Sequence, residues 1–347
     1  MNIRAIAFLP GTFFYLCIAP VFSADTSGQT RAEMVGRSLI GTPAPALVLK
    51  SIDGTTIDLG HLYGKQAVYL KFWATWCVPC REQMPHFEHI YETAGPDLAV
   101  IGIDTGFNDS IEEVVKYRQK IGITMPLVVD DGEAGAAFHL RVTPQHIVIG
   151  RDGRIQYVGH LADARLDAAL VAARSASPSR VASAAVQRTM LRFTDQFKAG
   201  DVLSSQQSLT IDGKRLSLRD PTKRRPTLLI FLSPWCESYL ATTRPALSAS
   251  CRQMREEVNA LTGEKGVRWL GIASGLWATT DDLRDYRKRY GVRIPLSLDD
   301  SGKLFRAFGV MQVPTALLIN SGGRIARRID LKDLASPATL RATMESL

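Results

Sequence analysis

The chain repeats itself, and the repeat constrains its possible folds more than any other feature. Ser51-Ile52-Asp53-Gly54-Thr55-Thr56-Ile57-Asp58-Leu59 is echoed by Thr210-Ile211-Asp212-Gly213-Lys214-Arg215-Leu216-Ser217-Leu218, 159 residues on. Phe72-Trp73-Ala74-Thr75-Trp76-Cys77 is matched by Phe231-Leu232-Ser233-Pro234-Trp235-Cys236 at the same offset. Tyr117-Arg118, Pro126 and Asp130-Asp131 return as Tyr286-Arg287, Pro295 and Asp299-Asp300 at an offset of 169. Phe138, Pro144 and Gly153-Arg154-Ile155 return as Phe308, Pro314 and Gly323-Arg324-Ile325 at 170. So many landmarks kept in order mean two copies of one domain, and 347 residues are enough for both. The offset grows by ten after Cys236, which puts an insertion in the first helical region of the second copy.

Within the first copy, Asp53-Gly54 separates two short apolar runs, 47–52 and 55–59, as in a hairpin. Residues 67–73 read as a buried strand, with a helix beginning at Trp76-Cys77. A strand at 98–103 precedes a helix over 111–121, whose apolar stripe runs through Ile111, Val114, Val115 and 118–121. Short strands follow at 127–129, 145–149 and 155–158, then an alanine-rich helix over 164–174. This order predicts an α/β fold, each copy a mixed central sheet flanked by helices. The copies span 38–175 and 201–347. Between them, 176–200 reads as a short linker and then a helix, with Val181, Val186, Met190, Phe193 and Phe197 near helical spacing.

Residues 1–24 carry one basic residue, an apolar run and small residues before Asp25, the pattern of a secretory signal peptide. Export to the periplasm is the expectation, with anchoring to the inner membrane by an uncleaved segment as the alternative. Contact with a membrane is expected only in that second case. Tyr15 and Leu16 before Cys17 do not make a lipoprotein site. Removal of the signal leaves Cys77, Cys80, Cys236 and Cys251, in a compartment that permits disulfides. The net charge of +8 is scattered, without an aromatic-interleaved basic motif, so no nucleic-acid partner is expected.

Cys77-Val78-Pro79-Cys80 stands at a strand-to-helix junction, where unpaired N–H groups favour a thiolate on the first sulfur. Two intervening residues let Cys80 close a ring on Cys77, so Cys77 can attack a disulfide and Cys80 can release the product. Half of a zinc site is the competing reading. It fails because Cys236 and Cys251 lie in the other copy at an unsuitable spacing. His86 and His89, three residues apart, lack a third ligand and read as a solvated helix face. His139 and His146 flank the Thr143-Pro144 segment and are candidates for substrate contact. No metal or organic cofactor is expected.

Phe72-Trp73-Ala74-Thr75-Trp76-Cys77-Val78-Pro79-Cys80-Arg81 resembles the active-site signature of the TlpA/ResA-like thiol-disulfide oxidoreductases of the thioredoxin superfamily, and Val142-Thr143-Pro144 resembles their cis-proline loop. The resemblance covers 38–175 and, more weakly, 201–347. It implies two tandem thioredoxin-like domains, with Cys77 as nucleophile and Cys80 as resolving cysteine. Trp76 and Pro79 would shape the rim, and Thr143 and Pro144 would hold an extended substrate. Protein disulfides or dithiols would be the substrates, with an upstream thiol-disulfide donor. Two positions depart from the pattern. Gln83 stands where relatives often carry glutamate, with Glu82 one place early, and Lys71 stands where thioredoxins bury an acid. Lys71 either lowers the pKa of a nearby thiol or carries its head away to solvent, and the second is the expectation.

In the second copy Tyr239 replaces the second cysteine, while Trp235, Cys236, Val313 and Pro314 are kept. The reading is a degenerate scaffold or binding domain, with a monothiol site as the alternative. A Cys236–Cys251 disulfide is left open. A straight helix would hold residues 15 apart at about 22 Å, whereas a break at Pro245 would let them meet. A thiol peroxidase of peroxiredoxin type and a partner-binding module of redox-regulated shape are the rival functions for the whole chain.

Overall fold

The computed structural model describes residues 23–178, 196–204, 206–263, 266–331, 333 and 339–345. The expected signal segment over 1–22 and the expected linker helix through Val181, Val186, Met190 and Phe193 lie outside these residues.

The run Ala67–Trp73 forms β3 and is buried at all seven positions, because it is the central strand of a sheet covered on both faces. The elements before it are α1 (Ser23–Leu39), the hairpin β1 (Val48–Lys50) and β2 (Thr56–Asp58), and the single turn α2 (Leu59–Leu62). Gly54 closes the hairpin turn at φ 83°, a left-handed conformation that favours glycine. After β3 come α3 (Val78–Glu82), α4 (Met84–Glu92), β4 (Leu98–Asp104), α5 (Ile111–Ile121), β5 (Leu127–Val129) and α6 (Glu133–Ala137). Strands β6 (Gln145–Ile149) and β7 (Ile155–Gly159) and helix α7 (Ala164–Ser175) complete the half. The sheet order is β5-β4-β3-β6-β7, parallel from β3 through β4 to β5 and antiparallel from β3 through β6 to β7.

The second half repeats the series. Hairpin β8 (Gln207–Leu209) and β9 (Arg215–Ser217) precedes β10 (Thr227–Leu232), α8 (Cys236–Thr243), α9 (Pro245–Leu261) and β11 (Arg268–Ser274). Next are α10 (Thr280–Tyr290), β12 (Leu296–Asp299), α11 (Lys303–Ala307), β13 (Thr315–Ile319), β14 (Ile325–Ile329) and α12 (Thr339–Glu345). Its sheet order, β12-β11-β10-β13-β14, follows the first strand for strand, and both sheets are mixed. The insertion read from the offset falls in α9, which has 17 residues where α4 has nine.

Three features differ from the sequence reading or add to it. Helix α1 packs on β7, and the Gln29 side-chain amide oxygen accepts the backbone N–H of His160 at 3.0 Å. The stripe of α5 is narrower than its periodicity suggested. Val114 is buried, but Ile111 and Ile121 are 54% and 43% exposed, because the helix meets the sheet only through its middle turns. One apolar cluster crosses between the halves and contains Trp76, Cys77, Cys80, Phe107, Phe231, Cys236 and Cys251.

Candidate active site

Cys77 is the N-cap of α3, with extended backbone, and bonds to Cys80 across 5.2 Å between their Cα atoms. The Cys80 N–H donates to the Cys77 sulfur at 3.3 Å. Pro79 lies in the first turn, where its lack of an N–H costs no helical bond. The Thr143–Pro144 peptide bond is cis, and the Thr143 carbonyl oxygen stands 3.4 Å from the Cys77 sulfur. Strand β3 delivers the disulfide and β6, paired with it, delivers the proline loop.

A buried polar chain lies behind this pair. The Gln83 amide nitrogen donates to the His160 carbonyl at 3.2 Å, so its oxygen faces His146 Nε2 at 2.9 Å. His146 Nε2 must therefore carry the proton, and Nδ1 accepts from the Tyr69 hydroxyl at 2.8 Å. Burial, and then the Lys71 charge, hold His146 well below the ordinary histidine range. Buried in this chain, His146 does not present itself to substrate. His160 Nδ1 meets the Pro144 carbonyl at 2.7 Å, tying the cis-proline loop to β7 and α1. His86 is a partly exposed residue of α4 beside Asp167 at 3.5 Å, and no group able to hold a metal ion occurs among the described residues.

Lys71 does not reach solvent as expected. It is fully buried, its ammonium has no hydrogen-bond partner among the described residues, and it lies 5.2 Å from the centre of the Phe87 ring. The reason is its place in the middle of the central strand, paired with Gly102 on one side and His146 on the other, too far from any edge for its stem. Burial pulls its pKa down to about 7.

The second half covers the disulfide. Cys77 is 1% exposed and Trp76 also 1%, so the expected rim residue is interior. The Trp76 and Trp235 rings pack together, tilted by 30°, with centroids 5.1 Å apart. Each indole N–H donates at 2.7 Å to a carbonyl of its own half, Phe107 for Trp76 and Leu276 for Trp235. The Tyr239 hydroxyl accepts the Val78 N–H at 3.0 Å, at the start of α3. Trp277 donates its backbone N–H to the Arg141 carbonyl at 2.8 Å and its indole N–H to the Thr143 hydroxyl at 3.2 Å. In the reciprocal contact, Asn108 donates its N–H to the Met311 carbonyl at 2.8 Å and its side-chain oxygen accepts from Val313 at 2.9 Å. Arg244 reaches the Asp109 carboxylate at 2.5 Å and the Thr75 hydroxyl at 2.6 Å, and also pairs with Glu113. Burial pushes Asp109 up to about 6, against its bonds from Thr75 and the Arg244 charge.

The sequence reading passed over Asn108, Asp109, Arg244 and Trp277. A signal existed for one pair. Asn108 and Trp277 are equivalent at the 169 offset, and both adopt positive φ, 59° and 56°. His139, at φ 51°, lines a cleft of about 410 Å³ between the halves, with Arg141 and Asp300. Cys236 and Cys251 are bonded, with Cα atoms 6.2 Å apart. The chain breaks between α8 and α9 at Arg244, just before Pro245. The Val313–Pro314 bond is cis.

A mixed sheet whose central strand ends in a Cys-x-x-Cys disulfide facing a cis-proline is the frame of a thioredoxin-like redox domain. The AhpC/TSA family matches residues 40–158, about a third of the chain. The thiol-disulfide oxidoreductase ResA of Halalkalibacterium halodurans is 33% identical over 117 residues, which are 33% of this chain and 65% of that protein. The chain thus spans a little under two thirds of that relative. The thioredoxin-like protein YneN of Bacillus subtilis is 32% identical over 117 residues, 33% of this chain and 68% of that protein. A thioredoxin-family thiol:disulfide interchange protein from Chlorobium tepidum is 28% identical, with a TM-score of 0.36, covering 39% of this chain and 97% of that one. The chain belongs to the thioredoxin-like proteins.

Proposed function

We propose that this chain is an exported thiol-disulfide oxidoreductase that exchanges disulfides with protein substrates through Cys77-Val78-Pro79-Cys80. The observation that carries the reading is the Cys77 sulfur at a helix N-cap, accepting the Cys80 N–H, beside a cis-proline loop. In the reduced pair that N–H stabilises a thiolate on Cys77, the nucleophilic form. Cys77 attacks a substrate disulfide, a mixed disulfide forms, and the first substrate thiolate leaves. Cys80 then loses its proton and attacks the Cys77 sulfur, which reforms the Cys77–Cys80 bond and releases the second substrate thiolate. Thr143 and Pro144 hold the substrate backbone, and Trp76 and Pro79 shape the approach once the second half has moved aside. An upstream dithiol returns the pair to the reduced state.

The signal-like pattern of residues 1–24 and two disulfides in one chain support the periplasm as its location, with an anchored form as the alternative. No helix among the described residues is long and apolar enough to cross a membrane.

The test is insulin reduction with a dithiol donor. Activity is expected to fall to background in Cys77→Ser, and Cys80→Ala is expected to accumulate substrate linked to Cys77. Full activity in Cys77→Ser would move the chemistry elsewhere.

A further inference from the structure

The second half keeps the tryptophan, the first cysteine and the cis-proline of the first site, with the second sulfur supplied from a new place. Trp235 and Cys236 follow β10 as Trp76 and Cys77 follow β3, and Cys236 opens α8. Where the second cysteine of the motif would stand there is Tyr239, but the chain turns at Arg244 and α9 packs back along α8. That return brings Cys251 to Cys236 and sets the Cys251 sulfur 3.8 Å from the Val313 carbonyl oxygen, beside the cis Val313–Pro314 bond. The Cys77 sulfur has the same relation to Thr143, at 3.4 Å.

The surroundings of Cys251 are built for more than a staple. A pocket of about 20 Å³, room for one water, is lined by Cys251, Ser233, Arg255 and Pro314. Ser233 is 4% exposed, and its hydroxyl has no hydrogen-bond partner among the described residues. Arg255, held by Glu237 at 2.7 Å, lines the same pocket. A hydroxyl donor and a cation are the groups that stabilise a departing thiolate. All four cysteines share the apolar cluster that crosses between the halves. Trp76 and Trp235, in contact with each other, each precede the first cysteine of their site, and Tyr239 touches Val78, next to Cys77.

We propose that Cys236–Cys251 is a second redox centre that exchanges an electron pair with Cys77–Cys80 within one chain, which rests on the reading of Cys77–Cys80 as the catalytic dithiol. With the first pair reduced, the Cys77 thiolate attacks the Cys236 sulfur. A Cys77–Cys236 bond forms, the Cys236–Cys251 bond breaks, and Cys251 leaves as a thiolate toward Ser233 and Arg255. Cys80 gives up its proton and attacks Cys77, which restores Cys77–Cys80 and frees Cys236 as a thiolate. The first pair loses two electrons and the Cys80 proton, and the second gains two electrons and takes up that proton on one of its two thiolates, so no outside reagent enters the exchange.

The test gives the oxidised protein one dithiothreitol per chain, quenches at intervals with acid, alkylates, and locates the label by peptide mass spectrometry. Label is expected on Cys77 and Cys80 first and then on Cys236 and Cys251, at a rate independent of protein concentration. In Cys77→Ser/Cys80→Ser, labelling of Cys236 and Cys251 is expected to be at least tenfold slower. Ser233→Ala keeps both disulfides and is expected to slow the second labelling several-fold. In Cys80→Ser/Cys251→Ser, diamide is expected to yield a Cys77–Cys236 link. Equal rates in wild type and Cys77→Ser/Cys80→Ser, or label on Cys236 and Cys251 only in denaturant, would overturn the exchange. Wild-type protein that reduces insulin while Cys236–Cys251 stays oxidised overturns the exchange and leaves the catalytic reading standing. Wild-type protein that reduces no insulin overturns both.

Discussion

Lys71 shows how one side chain can set a pH dependence for the whole fold. Its ammonium is buried with no hydrogen-bond partner among the described residues, and burial brings its pKa from 10.5 to about 7. The sign follows from proton counts. Between about pH 7 and 10.5 the unfolded chain holds a proton on Lys71 that the folded chain lacks, so stability rises with pH across that window. The slope from this group is about 1.4 kcal/mol per pH unit at most. Below pH 7 both states carry the charge, and the folded state bears the full cost of burying it. Lys71→Met, which fills similar space without a charge, is expected to be more stable at pH 7 and to lack that slope. Urea unfolding at pH 7, 8 and 9 checks this, and parallel slopes for wild type and variant would refute it. The sequence placed Lys71 six residues before Cys77 but could not show where its head goes. That depends on strands β4 and β6, brought to either side of it from far along the chain.

The elements themselves were more legible. β3, α5, β5 and β6 lie at the bounds read from periodicity, because each is a strongly patterned run between turn residues. The five-residue helices α6 and α11 were not read, since one turn and a half carries no period. Each instead starts at a glycine of positive φ, Gly132 or Gly302, whose preceding aspartates accept the first helical N–H groups. The caps of the long helices were written in the sequence more openly than their second use. Ser110 and Glu113 form a capping box on α5, and Thr279 and Asp282 form one on α10. Each box acid also pairs beyond its own helix, Glu113 with Arg244 and Asp282 with Arg31 at 3.0 Å. Ser110→Ala removes the acceptor for the Glu113 N–H and is expected to cost about 1 kcal/mol in denaturant unfolding. A change in midpoint within error would show that the box contributes nothing to α5.

At the scale of the molecule, the halves meet as two copies of one surface. Residue 108 contacts 311 while its equivalent, 277, contacts 141, which is the equivalent of 311. Such reciprocity is the mark of a two-fold interface. The repeat announced the copies, but it did not announce that their redox faces would be turned toward each other, since contacts between copies leave no period in either. The Arg244–Asp109 pair crosses this interface, with the Asp109 side chain fully covered. Asp109 faces Arg244, Thr75 and the buried Asp104, whose own carboxyl is held well above the ordinary range by burial and then by Asp109. Intuition says that acid should break the ion pair and open the interface. The proton count says otherwise. Covered Asp109 has a pKa of about 6, and an uncovered carboxyl returns toward 3.8, so between these values the covered form binds more protons. Acid therefore favours the covered form, and opening becomes easier as pH rises from about 4 to 6, by at most about tenfold per unit. Reduction of Cys77–Cys80 by a phosphine reads the opening, and dividing each wild-type rate by that of Asp109→Asn cancels the reagent's own pH dependence. The ratio is expected to climb between pH 4 and 6 and level off above. Arg244→Glu, which sets a like charge against Asp109 and Glu113, is expected to raise reduction at pH 7 by tenfold or more. A ratio that falls with pH would mean that the Arg244 charge outweighs burial in setting how Asp109 titrates.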